Sequence, residues 1–358
     1  MQFLKIIIPV LILSIIVIYF LIPKNPSKTS ETTKNKESTI PNINDDTSLQ
    51  TKELVDFAVE ALRARKYEGS DLILEQKLSD GSNYEQFIAS YKSDDLKIYG
   101  LLTIPKEEMP ENGFPTIVFN HGYIPPTQYV TTQRYEAYVD NFAKNGFIVF
   151  KPDFRGHGKS EGVPLGTYFS AGYSIDILIA VASLKKFEKV DPSRIGMWGH
   201  SMSGNLTLRA MLVDSDIKAG VIWAGAVYSY EDFAKYRISD TSYVRRVAPM
   251  NNLELPPHIS NEISKIREDA SSVNFDSDFW KSISLTANLK YLNSPVQIHH
   301  SKDDSVVDIG YSYDLVESLK QSNKIHEFYE YRGGGHNISS PYFEQAISRS
   351  VEFFKQNL

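Results

Sequence analysis

The chain has 358 residues, which suggests one large domain plus appendages or two modest domains, and with 42% hydrophobic and 12% aromatic residues it can bury a sizeable core. Its formal net charge is -6 and it carries no long basic run, which argues against nucleic acid as a partner, since phosphate binding needs clustered Lys and Arg. It has no cysteine, so disulfides, thiolate catalysis and cysteine-ligated metals are excluded.

Ile6 to Ile22 is an almost unbroken apolar run, flanked by Lys5 and by Pro23-Lys24. At 1.5 Å per residue it approaches the length of about 18 residues needed to cross a bilayer. No small residues mark a cleavage site near Tyr19–Pro23, so residues 1–23 read as an uncleaved transmembrane anchor. Residues 24–50 are rich in Ser, Thr, Asn, Lys and Glu and read as a disordered polar linker. The four lysines after the span favour a cytoplasmic body by the positive-inside rule. A five-residue tail gives that rule little to act on, and a long tether suits an enzyme held off a cell surface. The expectation is therefore a membrane partner through the N-terminal helix, with residues 51–358 on the extracytoplasmic side.

Glu53–Arg65 has apolar residues at helical spacing. Leu72–Leu78, Tyr84–Tyr91 and Leu96–Ile104 alternate as half-buried antiparallel strands do. After Pro115 short apolar runs (116–119, 147–150, 194–199, 219–225, 295–299, 325–331) alternate with helical stretches (133–145, 170–187, 205–213, 309–321, 341–356). That rhythm predicts an α/β fold: a mostly parallel sheet with antiparallel N-terminal strands and helices on both faces. Between 225 and 293 the rhythm breaks into a partly helical, aromatic-rich stretch containing Tyr228, Tyr230, Phe275, Phe279 and Trp280. An interruption that long inside a compact domain reads as an insertion or lid, with a plain packing subdomain as the alternative.

Gly199-His200-Ser201-Met202-Ser203-Gly204 falls directly between a strand and a helix. This is the setting of a nucleophile elbow, where a serine sits on a strained turn flanked by small residues. Ser203 stands where the G-x-S-x-G pattern has its second glycine. A serine hydroxyl needs a base, and the base an acid to orient it; with this elbow the chain order is serine, acid, histidine. His336, in Arg332-Gly333-Gly334-Gly335-His336-Asn337 between the last strand and the last helix, is the candidate base. Asp303 and Asp304 both follow the strand ending in His299-His300; Asp303, which with Val306 resembles the related pattern of an aspartate three residues before a valine, is the expected acid, with Asp304 the alternative. The amides of Met202, at the start of the helix, and Tyr123, in Asn120-His121-Gly122-Tyr123, are the candidate oxyanion donors. His121 reads as a brace of that loop, as do Asp153 and Arg155 in Asp153–Ser160, which lacks the endings of nucleotide-binding loops. Adjacent strand residues face opposite ways, so His299 and His300 are not expected to share a metal. No cofactor and no metal are expected.

These segments, together with Asp191-Pro192-Ser193-Arg194-Ile195-Gly196 before the elbow, resemble the α/β-hydrolase superfamily from about Leu72 to the C-terminus. Within it the chain is most similar to the catalytic domain of prolyl oligopeptidase-type serine peptidases and to the dienelactone-hydrolase and acyl-esterase branches. The resemblance implies acyl-enzyme hydrolysis of a small-molecule ester or a short peptide, without the propeller of the large peptidases. A carboxylesterase is the alternative, and a non-catalytic binding protein on the same scaffold a remote one. Glu231 and Asp232 in the insertion are available to a substrate amine, though nothing singles them out.

Overall fold

The computed structural model describes residues 55–236 and 257–358. Residues 1–54, with the expected anchor and linker, lie outside them. The membrane placement expected from residues 6–22 does not stand, because among the described residues no helix is long and apolar enough to cross a membrane. By its own contacts Lys52–Leu358 forms one unit.

The sheet has nine strands among the described residues: β1 (Ile73–Lys77), β2 (Tyr84–Ser93), β3 (Leu96–Pro105), β4 (Phe114–Asn120), β5 (Ile148–Pro152), β6 (Val190–His200), β7 (Ile217–Trp223), β8 (Val296–Ser301) and β9 (His326–Tyr331). Their spatial order is β1-β2-β3-β5-β4-β6-β7-β8-β9. The pairs from β1 to β5 by way of β2 and β3 are antiparallel. All pairs from β5 through β4 to β9 are parallel. Between 114 and 331 the strands are joined by helices, and a parallel neighbour requires such a crossover.

The helices are α1 (Val59–Ala64), α2 (Glu136–Lys144), α3 (Gly172–Leu184), α4 (Met202–Val213), α5 (Tyr230–Lys235), α6 (Pro257–Glu268), α7 (Asp278–Ile283), α8 (Gly310–Gln321) and α9 (Phe343–Asn357). Alternation along the strands sends successive side chains to opposite faces. On β4, Ile117 and Phe119 join Val139 and Phe142 of α2 and Ile347 and Phe354 of α9. Val118 joins the other core, with Leu178 of α3, Leu206 of α4 and Leu315 of α8. Both faces are thus covered, which is why these strands read as unbroken apolar runs.

The insertion continues this second core. Tyr230, Trp280 and Ile283 are fully buried, and Tyr230 and Trp280 rings lie 5.2 Å apart. The part of the insertion at 237–256 lies outside the described residues.

Register brings the functional loops together. Asn120 pairs with Gly199 at the carboxyl ends of β4 and β6. The chain leaves β4 for β5 on one side and returns in β6 on the other, so a crevice opens at this point of the sheet. Ser301 pairs with Tyr331, which sets the loops carrying Asp304 and His336 side by side.

Candidate active site

Ser201 lies between β6 and α4 with φ 57° and ψ -123°, a conformation that costs a non-glycine residue on the order of 1–3 kcal/mol. Its amide is tied to the Trp223 carbonyl at 2.9 Å. The turn closes because its neighbours are small. A Cβ on Gly199 would stand 2.3 Å from the Ser203 carbonyl oxygen, and one on Gly204 2.7 Å from the Gly225 Cα. Close helix–sheet contact therefore falls on Gly204 rather than on position 203. This explains the departure from G-x-S-x-G: the Ser203 hydroxyl, fully buried, donates to the His121 carbonyl at 2.5 Å.

His336 stands in a single helical turn, Gly335–Asn337, after β9. Gly334 (φ 107°) and Gly335 (φ 60°) supply the left-handed backbone that turns the chain there. Its Nδ1 lies 2.8 Å from Oδ2 of Asp304. The expectation of Asp303 as the carboxylate beside His336 is corrected by this geometry. Asp303 sits one residue nearer β8 in an exposed turn, and its Oδ1 accepts the Gly335 amide at 2.9 Å, so it holds the histidine turn from outside. Asp304 faces inward. Its Oδ1 accepts the amides of Val306 (2.8 Å) and Val307 (2.9 Å), and its Oδ2 also meets His300 Nε2 at 3.1 Å. Burial pushes the Asp304 carboxyl up, but the hydrogen bonds from His300, His336 and the Val307 amide outweigh it, holding the group well below the usual carboxylate range. Asp304 is thus an anion against the Nδ1 of His336. Nδ1–H donates to it, which leaves Nε2 as the lone-pair nitrogen.

A second chain of hydrogen bonds was not legible in the sequence. His200 Nε2 lies 2.9 Å from the His336 carbonyl, which only accepts, so Nε2 carries the proton. Nδ1 is then the acceptor for the Tyr135 hydroxyl at 2.8 Å, and that hydroxyl accepts the Gly122 amide at 2.9 Å. The line Gly122–Tyr135–His200–His336 joins the β4 loop to the backbone of the histidine turn. Burial first, then repulsion from His336, pushes the His200 imidazole down to about 3, so it is neutral. Gly122 is confined by this group: a Cβ there would meet Tyr135 Oη at 2.7 Å and Ser201 Cβ at 3.3 Å.

His121 is buried between the rings of Tyr129 and Phe154, with centroids 4.6 and 4.4 Å away, and its Nδ1 donates to the Gly122 carbonyl at 2.7 Å. Burial holds its imidazole well below its ordinary range. Asp153 accepts from Tyr129 (2.7 Å) and Thr131 (2.5 Å), and Arg155 forms a two-point pair with Asp176 at 3.0 and 2.7 Å. Asp191 accepts from Ser193 and Arg194, which makes the Asp-Pro-Ser-Arg stretch a turn brace at the entry to β6. His299 meets Tyr331 and Gln297, whereas His300 meets Ser312 and Asp304. Among the described residues no group of three or more His, Asp and Glu is placed to hold a metal.

Ser201 and His336 both line one cleft of about 630 Å³. Tyr123, Arg134, Tyr135, Tyr138, Pro341, Phe343 and Glu344 also line it. Among the described residues of the insertion none lines this cleft, Glu231 and Asp232 included. Asp232 is buried beside Asp314, where burial and that neighbouring carboxylate push it up to about 7.

The family model described as "Serine aminopeptidase, S33" matches residues 114–340. This chain belongs to that family. It is a serine hydrolase with the α/β-hydrolase fold. The Bacillus subtilis (strain 168) protein "Uncharacterized peptidase YtmA" is 26% identical to this S33-family chain over 257 residues, covering 71% of it and 86% of that protein. The "Thiohydrolase aneE" of Aspergillus aculeatus is 32% identical over 125 residues, 35% of this chain and 36% of that one. Among solved structures, the Pyrococcus horikoshii acylaminoacyl peptidase aligns with a TM-score of 0.60 and 19% identity, covering 79% of this chain and 44% of that one. Acetyl xylan esterase 1 from Thermoanaerobacterium sp. aligns with a TM-score of 0.58 and 15% identity, covering 84% and 94%. At such identities these structures speak for the fold.

Proposed function

We propose that the chain hydrolyses peptide bonds of short substrates through an acyl-enzyme on Ser201, in the manner of prolyl oligopeptidase-type peptidases. The observation that carries this reading is the cleft shared by a strained Ser201 and a His336 whose Nδ1 is held by an ionised Asp304.

Nε2 of His336 takes the Ser201 proton as Oγ attacks the substrate carbonyl carbon. The carbonyl oxygen becomes an oxyanion, held by the amides of Met202 and Tyr123. Met202 is the first residue of α4, where an N–H has no partner within the helix and faces developing negative charge at the helix's positive end. Tyr123 follows Gly122, whose position the Tyr135 hydroxyl fixes. The tetrahedral species collapses, and His336 gives its proton to the departing amine. Water then attacks the acyl-Ser201 ester by the same route, releasing the acid and restoring the hydroxyl. Asp304 stays ionised throughout and stabilises the transient imidazolium.

Ester hydrolysis is the second reading, since the same groups perform it and the relatives include a thiohydrolase. A side-by-side assay on p-nitrophenyl esters of varied chain length and on aminoacyl or prolyl anilides separates them. The peptidase reading expects turnover of anilides and loss of all turnover in Ser201→Ala. Ester turnover without anilide turnover would leave the second reading standing.

A further inference from the structure

Arg134 and Tyr135 are consecutive non-glycine residues in the left-handed region, at φ 65° and 61°. Each costs roughly 1–2 kcal/mol there, and the surroundings are built to hold them. The Lys151 ammonium, fully buried on β5, donates to the carbonyl of Gln133 at 3.1 Å and approaches that of Arg134 at 3.5 Å. Burial pushes the Lys151 amine down to about 8, so its position is itself unfavourable. The Arg134 amide donates to Glu136 Oε1 at 2.9 Å. Backbone strain maintained in this way at a cleft wall points to side chains that the cleft uses. Tyr135 has its use in the link between Gly122 and His200. Arg134 has none yet. It is exposed, it lines the cleft, and it is the one permanent cation among the described lining residues. Among the described residues no carboxylate lies within ion-pair distance of its guanidinium: neither Glu136, which meets its backbone, nor Glu344, which also lines the cleft.

We propose that Arg134 binds a carboxylate of the substrate processed at Ser201. This rests on the hydrolase reading of that site and names the chemical class its substrate belongs to. A guanidinium offers two parallel N–H donors that match a carboxylate, which a mobile surface lysine would not. The carboxylate has two sources: the free C-terminus of a short peptide on the leaving side, or the far end of a dicarboxylic acid on the acyl side.

The experiment compares wild type, Arg134→Gln and Arg134→Lys on matched pairs. One arm uses dipeptides with a free or an amidated C-terminus; the other uses the p-nitrophenyl ester of succinate and of its monomethyl ester. The readout is the ratio of kcat/KM for the anionic over the neutral member. The proposal expects a ratio above one in one arm, which identifies the source. It expects that ratio to fall by about tenfold or more in Arg134→Gln, mainly through KM, and to fall less in Arg134→Lys, which keeps the charge but loses the paired donors. A ratio of one in both arms, or one that Arg134→Gln does not change, overturns it. Labelling by a neutral fluorophosphonate is run on the same preparations. If wild type is labelled while the ratios stay flat, the carboxylate proposal alone fails; if wild type is not labelled, the hydrolase reading fails with it.

Discussion

Asp304 Oδ2 stands 2.8 Å from His336 Nδ1, while its neighbour Asp303 accepts the amide of Gly335. The two aspartates therefore predict different losses. Asp304→Asn should lower kcat by about 10³-fold or more, because the amide cannot hold the imidazole in the productive tautomer. Asp303→Asn should cost less than about tenfold, since an amide oxygen can still accept from Gly335. Steady-state kinetics of the two variants checks this, and a larger loss in Asp303→Asn would reverse the assignment.

Tyr135→Phe removes the hydroxyl that joins the Gly122 amide to His200. With the β4 loop released, kcat should fall by about ten- to a hundredfold with KM little changed. Affinity for a boronic acid, which mimics the tetrahedral state, should fall in parallel with kcat/KM. An unchanged boronate affinity would show that this hydroxyl serves folding only.

The pH dependence of stability should carry the mark of His200. Its imidazole is pushed from 6.5 down to about 3 in the folded chain, so between those values the unfolded chain binds the extra proton. The stabilisation is present above about pH 6.5 and is lost as pH falls toward 3, on the order of a few kcal/mol over the window. Urea denaturation at pH 7, 5 and 4 should show that loss in wild type and a shallower course in His200→Gln, where the buried His121, His157 and His299 still contribute. Equal slopes in the two proteins would remove His200 from the account.

Ser203→Ala leaves the His121 carbonyl without its buried donor. A loss of about 1–2 kcal/mol in stability is expected, with the elbow otherwise intact. A Ser203→Gly chain no less stable than wild type would show that the hydroxyl adds nothing.

The alternation of apolar runs with helical stretches made most of the sheet legible, because strands buried on both faces leave no polar alternation to confuse the reading. Ser201 and His336 were legible because the strained elbow and the glycine-rich turn need small residues at fixed offsets. Asp303 against Asp304 was not: spacing carries no record of which of two adjacent carboxylates turns inward, and only the amides of Val306 and Val307 decide it. Tyr135 was hidden because its role depends on a left-handed turn and a buried lysine from another strand. The expected membrane span was read from composition alone, and residues 6–22 lie outside the described residues. The aromatic-rich insertion read as a lid, with a packing subdomain as the alternative. Tyr228, Tyr230 and Trp280 instead fill the core, and sequence does not distinguish an aromatic that packs inward from one that lines a cleft.

The most direct measurement is mass spectrometry after reaction with a fluorophosphonate, reading which peptide gains the adduct. The account predicts one adduct, on Ser201, absent in Ser201→Ala and strongly slowed in His336→Ala. An adduct on another residue, or labelling that persists in Ser201→Ala, would contradict it.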